Sequence, residues 1–257
     1  MKRISLLVMI ILVTLLSARA DQIPTSWSSS GLTPDFGQEY LTAWGSGWCA
    51  PTAAADGIYW LSEQGNPGLW QGYSSGNNIG ASAIITELGA DMGTDPGGGT
   101  SAAGIVSGLD TYLGLYGGSQ SYSVSLTYAA DLSGGGSDLL EDMEIDLMAG
   151  QDVLPLIIWD GSDSGHVVDM TGWNSAGITI NDPATDANQL NWSNENLTAT
   201  TTGYGANGIG ISYETGSGVI EGFVDIGAAQ SVPEPGTFVL VGLGLTVLSR
   251  RVRRAKD

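Results

Sequence analysis

Between Ala20 and Ser249 the chain contains no Lys and no Arg. Its eight basic residues all sit at the two ends, as Lys2, Arg3, Arg19, Arg250, Arg251, Arg253, Arg254 and Lys256. Of the 27 Asp and Glu, only Glu234 and Asp257 fall outside the stretch that ends at Val232. Whatever folds there does so without Lys or Arg salt bridges. Its carboxylates can form ion pairs only with His166 or with an N-terminal amine.

This charge pattern excludes several classes of function. Phosphate binding through basic side chains is impossible, so nucleic acid is not expected as a partner. A P-loop needs a Lys that is absent here. The acidic field favours cationic partners, and divalent ions could screen it, but no Asp spacing fits an EF-hand loop. A solvated acidic surface is the plainer expectation. The single Cys rules out a disulfide within the chain. One Cys with one His cannot build a structural zinc site. No metal and no cofactor are expected.

The ends read as addresses. Met1-Lys2-Arg3, an apolar run from Ile4 to Leu16 and Ser17-Ala18-Arg19-Ala20 have the layout of a secretory signal peptide over residues 1–20. Cleavage after Ala20 would start the exported chain at Asp21. At the other end stand Val232-Pro233-Glu234-Pro235-Gly236, an apolar run from Thr237 to Leu248, and the Arg cluster. That run is shorter than the ~17–25 residues that span a bilayer comfortably, and its arginines would hold the segment on the cytoplasmic side. Residues 231–257 resemble the PEP-CTERM sorting signal of Gram-negative bacteria. The resemblance implies an exosortase-type enzyme as partner and transient anchoring in the inner membrane by a short transmembrane helix. It also implies tail cleavage and delivery to the cell surface or extracellular matrix.

The region between the ends, residues 21–230, has the length of one ordinary domain. A helix is expected from Thr52 to Gln64, with Pro51 in its first turn and Gly65 at its stop. Further helices are expected over Ser82–Leu88, Thr100–Leu113 and Asp138–Met148. Ser121–Tyr128 alternates as a strand does. Asp152–Trp159 reads as a buried strand, followed by strands over Val167–Trp173, Gly177–Ile180, Ile209–Tyr213 and Val219–Val224. Helices dominate the first half and strands the second. This is the α+β layout, with N-terminal helices packed on a C-terminal, mostly antiparallel sheet.

Two segments carry candidate chemistry. Gly47-Trp48-Cys49-Ala50-Pro51-Thr52 places the only Cys just ahead of a helix, where the dipole favours a thiolate. Gly165-His166-Val167-Val168 follows the acidic turn Asp160-Gly161-Ser162-Asp163 and opens a strand. A tight turn at Ser175-Ala176-Gly177 returns the chain through Ile178-Thr179-Ile180 to Asn181-Asp182-Pro183. His166 and Asp182 then fall at the same edge of a hairpin, as base and orienting carboxylate. Asp169 is a weaker orienting candidate, since its side chain should face the opposite side of the sheet. Trp48 and Trp173 are candidates to line the site.

Trp48-Cys49-Ala50-Pro51-Thr52-Ala53-Ala54 resembles the nucleophile helix of the C39-like, papain-fold cysteine peptidases. The segment from Leu147 to Leu156, then Gly165-His166-Val167-Val168 through Thr171-Gly172-Trp173, and Asn181-Asp182-Pro183 are similar to the family's later motifs in the same order. The resemblance covers roughly residues 40–185. It implies a papain-like fold, with Cys49 as nucleophile, His166 as general base and acid, and Asp182 as the residue that orients the imidazole. One departure concerns the oxyanion hole. The family carries a Gln several residues before the Cys; here Ala43 stands six before Cys49, and Gln38 lies farther up the chain.

The resulting expectation is an exported cysteine peptidase acting on a peptide or protein substrate. The alternative is a non-catalytic matrix, biofilm or adhesion protein built on an inactive peptidase fold, which the Gly-, Ser- and Asn-rich composition also suits. A third reading is acyl transfer to an amine through the same three residues.

Overall fold

The computed structural model describes residues 23–228, apart from positions 30, 42, 163, 186, 187, 194, 196, 214 and 215. The leader, the sorting tail with its apolar run, and Asp163 of the acidic turn lie outside these residues. Among the described residues, no helix is long and apolar enough to cross a membrane.

Among the described residues, four α-helices come mainly from the first half: α1 (Cys49–Glu63), α2 (Asn78–Asp91), α3 (Ala102–Tyr116) and α4 (Gly136–Met148). The strands are β1 (Trp27–Ser28), β2 (Asp35–Phe36), β3 (Tyr122–Tyr128), β4 (Asp152–Trp159), β5 (Gly165–Val167), β6 (Asp169–Asn174), β7 (Gly177–Asn181), β8 (Leu190–Asn191), β9 (Leu197–Gly205), β10 (Gly208–Tyr213) and β11 (Gly216–Ala228). The expected α+β layout is the one observed, with helices packed on an antiparallel sheet.

Helix α1 is the centre of the helical layer. Its alanines favour helix, and Pro51 falls in the first turn, where its missing N–H is not needed. Every residue from Cys49 to Ser62 is buried. A helix apolar nearly all round must lie inside the fold. α2 and α3 pack beside it. Their starts are capped by Asn77, which accepts from the Gly80 N–H at 3.0 Å, and by Ser101, which accepts from Gly104 at 3.1 Å. Each such cap is worth about 1 kcal/mol.

Nine strands form one antiparallel sheet in the order β1-β6-β7-β9-β10-β11-β4-β5, with β3 paired to the far half of β11. Strand β4 separates two cores by simple alternation. Leu154 and Leu156 join the helical core with α1, whereas Val153 and Ile157 enter a second core under α4 with Ile178, Ile180 and Phe223. A strand covered on both faces reads as a continuous apolar run, which is why this one is legible in the sequence.

The strand expected over Val167–Trp173 is instead two. It bends at Val168, so that β5 pairs with β4 and β6 pairs with β7. One short stretch of chain thus draws the two ends of the sheet together, and His166 sits at that junction. Four further strands, β1, β2, β8 and β9, are additions to the sequence reading.

Candidate active site

The site forms where the N-terminus of α1 meets the β4–β5 edge of the sheet. Cys49 is the first residue of α1, one turn earlier than the sequence reading starts that helix. Its approach is fixed by a short 3-10 turn over Ser46–Trp48 and by the Thr52 hydroxyl, which donates to the Trp48 carbonyl at 2.8 Å. Trp48 is wedged over α2, where any Cβ on Gly89 would fall 2.5 Å from the indole.

His166 occupies the middle of β5, opposite Ile157 of β4. Asp182 follows the last residue of β7. The hairpin of β6 and β7 turns at Ser175-Ala176 and brings the two side chains together, with His166 Nε2 and Asp182 Oδ1 2.6 Å apart. This is the sole ion pair among the described residues. The exposures of Cys49, His166 and Asp182 are 7%, 6% and 0%. With Nε2 committed to Asp182, Nδ1 is the ring nitrogen left for Cys49, whose interaction with the imidazole favours the charged ring.

The charges follow from these contacts. Burial alone would lower the His166 pKa, but hydrogen bonds from the ring to Asp182 and Cys49 outweigh it and leave it raised to about 10. Burial pushes the Asp182 carboxyl up, yet its hydrogen bond and charge contact with His166 bring it below its ordinary value. The Ala184 N–H, donating at 2.8 Å, and the nearby Tyr213 hydroxyl assist. The ring is therefore held as an imidazolium through neutral pH, the state that pairs with a thiolate.

Trp159, at the end of β4, stacks on His166 with ring centroids 5.6 Å apart and an interplanar angle of 25°. Of the tryptophans expected at the site, Trp173 instead stacks on Trp27 at 5.5 Å, and Trp48 packs into the helical core. Asp169 does not meet His166. It points to the other side, where its side chain hydrogen-bonds Asp152.

Cys49 and His166 open into a cleft of about 650 Å³. One wall is the β4–β5 edge, and the other is the glycine loop Gly97-Gly98-Gly99 with the start of α3. Gln38 also lines this cleft. Its backbone N–H donates to the Pro183 carbonyl at 3.0 Å, directly after Asp182. Among the described residues, the Gln38 Oε1 is buried without a hydrogen-bond partner. With Ala43 six residues before Cys49, the sequence leaves Gln38 needing a longer loop to reach the Cys; in the structure Gln38 and Cys49 line the same cleft. Tyr40, Trp44 and Trp48 stack along that path, with centroids 6.3 Å and 5.2 Å apart. Asn181 holds the segment in place, donating from Nδ2 to the carbonyls of Thr33 and Pro34 at 3.0 Å each.

A second group of acids lies behind the site. Asp35, Asp56, Asp152 and Asp169 are all buried, and they come from β2, α1, β4 and β6. Burial followed by mutual repulsion raises Asp56 well above the usual carboxyl range. Burial raises Asp152 to about 7. Among the described residues, no group of three or more His, Cys, Asp or Glu is arranged to hold a metal ion.

Residues 231–254 match the PEP-CTERM protein-sorting motif. That motif marks an exported protein recognised by an exosortase-type sorting enzyme at the membrane and destined for the surface. No curated protein matches the chain. Among solved structures, the chain is similar to the active wild-type interpain A cysteine protease of Prevotella intermedia. The identity is 14% and the TM-score 0.47, over 78% of this chain and 94% of that one.

Proposed function

We propose that residues 21–230 form an exported, papain-like cysteine peptidase of C39-like type, hydrolysing peptide bonds through Cys49, His166 and Asp182. The observation that carries this reading is the imidazole of His166. It is held at 2.6 Å by Asp182 on one nitrogen, interacts with Cys49, and lines the same cleft as that thiol.

In this mechanism the Cys49 thiol proton resides on His166, and the thiolate attacks the substrate carbonyl carbon. The oxyanion that forms accepts from the Cys49 backbone N–H and from the Gln38 carboxamide. The imidazolium then protonates the leaving amine as the C–N bond breaks, leaving a thioester. Water attacks the thioester, giving one proton to His166. The carboxylic acid departs with Cys49 leaving as a thiolate, and the thiolate–imidazolium pair is restored. Asp182 keeps Nδ1 turned towards sulfur and stabilises the ring charge throughout. The leader and tail would deliver this unit outward, the tail anchoring it in the inner membrane until cleavage releases it to the surface or matrix.

The test is the rate of Cys49 alkylation by iodoacetamide across pH 4–9 in the purified protein and in its His166→Ala variant. Fast alkylation at about pH 5–6 that is lost in the variant is expected of a thiolate–imidazolium pair. Peptide hydrolysis abolished by Cys49→Ala completes the case. A rate that rises only near the ordinary thiol pKa of ~8.5, the same in both proteins, would overturn the reading in favour of a non-catalytic matrix or adhesion protein.

A further inference from the structure

The cleft beside Cys49 is lined by the apolar side chains of Ile105, Leu156 and Ile158 and by the ring of Tyr128. Among the described residues it has one carboxylate, Glu221 of β11. That residue is out of step with its strand. Ile220 and Phe223 both enter the core under α4, whereas Val224 and Ile226 enter the helical core. Residues three apart share a face only if the alternation slips once between them, and the pairing of β11 with β4 slips between Ile220 and Gly222. In an unbroken strand Glu221 would share the face of Phe223 and enter an apolar core. The bulge turns it to the opposite face and into the cleft, a re-aiming that bulges beside active sites perform.

Glu221 makes no hydrogen bond or ion pair with another described residue. Among the described residues no Lys or Arg is present to pair with it. No Lys or Arg occurs between Ala20 and Ser249, and His166 is engaged by Asp182. A cationic side chain entering the cleft with a substrate would meet a carboxylate that has no Lys or Arg beside it among the described residues. Apolar walls leading to a carboxylate suit a side chain with a hydrocarbon stem and a charged head.

We infer that Glu221 selects peptides bearing Lys or Arg beside the scissile bond. This rests on the hydrolase reading and names its substrate class. It also gives the missing basic residues a consequence. An enzyme with this preference finds no cleavage site in its own exported region, so copies crowded at a surface do not digest one another.

The experiment measures kcat/KM of the purified protein and its Glu221→Gln variant on peptides that differ only in carrying Lys, Arg, Leu or Glu at the positions flanking the scissile bond. The expected result is a preference for Lys and Arg over Leu of about ten- to a hundredfold. It should collapse towards parity in Glu221→Gln and turn towards the Glu peptide in Glu221→Lys. Retained Cys49 alkylation in both variants shows that the site is intact. Cleavage with no basic preference, or with the preference unchanged in Glu221→Gln, overturns the inference and leaves the hydrolase standing. Cleavage of no peptide in the series overturns both.

Discussion

Gln38 shows how a single side chain can be assigned by position alone. Its N–H is pinned to Pro183, one residue past the carboxylate that holds His166, and it lines the same cleft as Cys49. An oxyanion donor acts only on the charge that develops in the transition state. Gln38→Ala is therefore expected to lower kcat by roughly 10²–10³ while moving KM little. Steady-state kinetics on one good peptide decide this, and a variant with unchanged kcat would give Gln38 a packing role only. Cys49, His166 and Asp182 were legible in the sequence because each sits in a short local context, at a helix start or a hairpin edge. Gln38 was not. Its place depends on Asn181 gripping Thr33 and Pro34 and on an aromatic stack that spans the extra residues, contacts that join segments far apart in the chain.

Elements meet most tightly where α1 crosses β4. Gly57 lies in mid-helix, where glycine costs about 1 kcal/mol against alanine. Propensity alone thus predicts that Gly57→Ala stabilises the protein. Packing predicts the opposite, because a Cβ there would lie 1.9 Å from Asp152 Oδ2 and near the rest of that carboxyl. Overpacking typically costs about 1–3 kcal/mol, so the contact outweighs the propensity gain. Urea unfolding of Gly57→Ala should show a net loss of up to about 2 kcal/mol, and a rise in midpoint would show that the carboxyl moves aside freely. The helix itself and β4 were readable from their apolar patterns. β9 was not, since its threonines and glycines lack an apolar alternation. The bend at Val168 escaped too, because it arises from one segment serving both ends of the sheet.

Across the whole molecule the acids decide how stability responds to pH. The buried set comprises Asp35 on β2, Asp56 on α1, Asp152 on β4 and Asp169 on β6, with Glu195 hydrogen-bonded to Asp35. No Lys or Arg faces them. Asp152 has its pKa raised from an ordinary value of 3.8 to about 7, and burial raises Asp56 and Asp169 in the same direction. An acid raised in the folded state binds more protons there than in the unfolded chain, so stability falls as pH climbs from about 4 through 7. His166, raised to about 10, contributes stability that is complete below its ordinary pKa of 6.5 and is lost as pH rises towards 10. Asp182 is lowered, so its contribution is present above about pH 4 and is lost at more acid pH. These contributions together place the maximum between about pH 4 and 6. A thermal melt at pH 5 is expected to exceed one at pH 8 by roughly 3–10 °C. Asp169→Asn removes one charge from the most crowded pair while keeping its shape. It should raise the melting temperature at pH 8 more than at pH 5 and so flatten the profile. A protein equally stable at both pH values, with Asp169→Asn destabilising alike at each, would mean that these carboxyls ionise freely and do not set the acid preference.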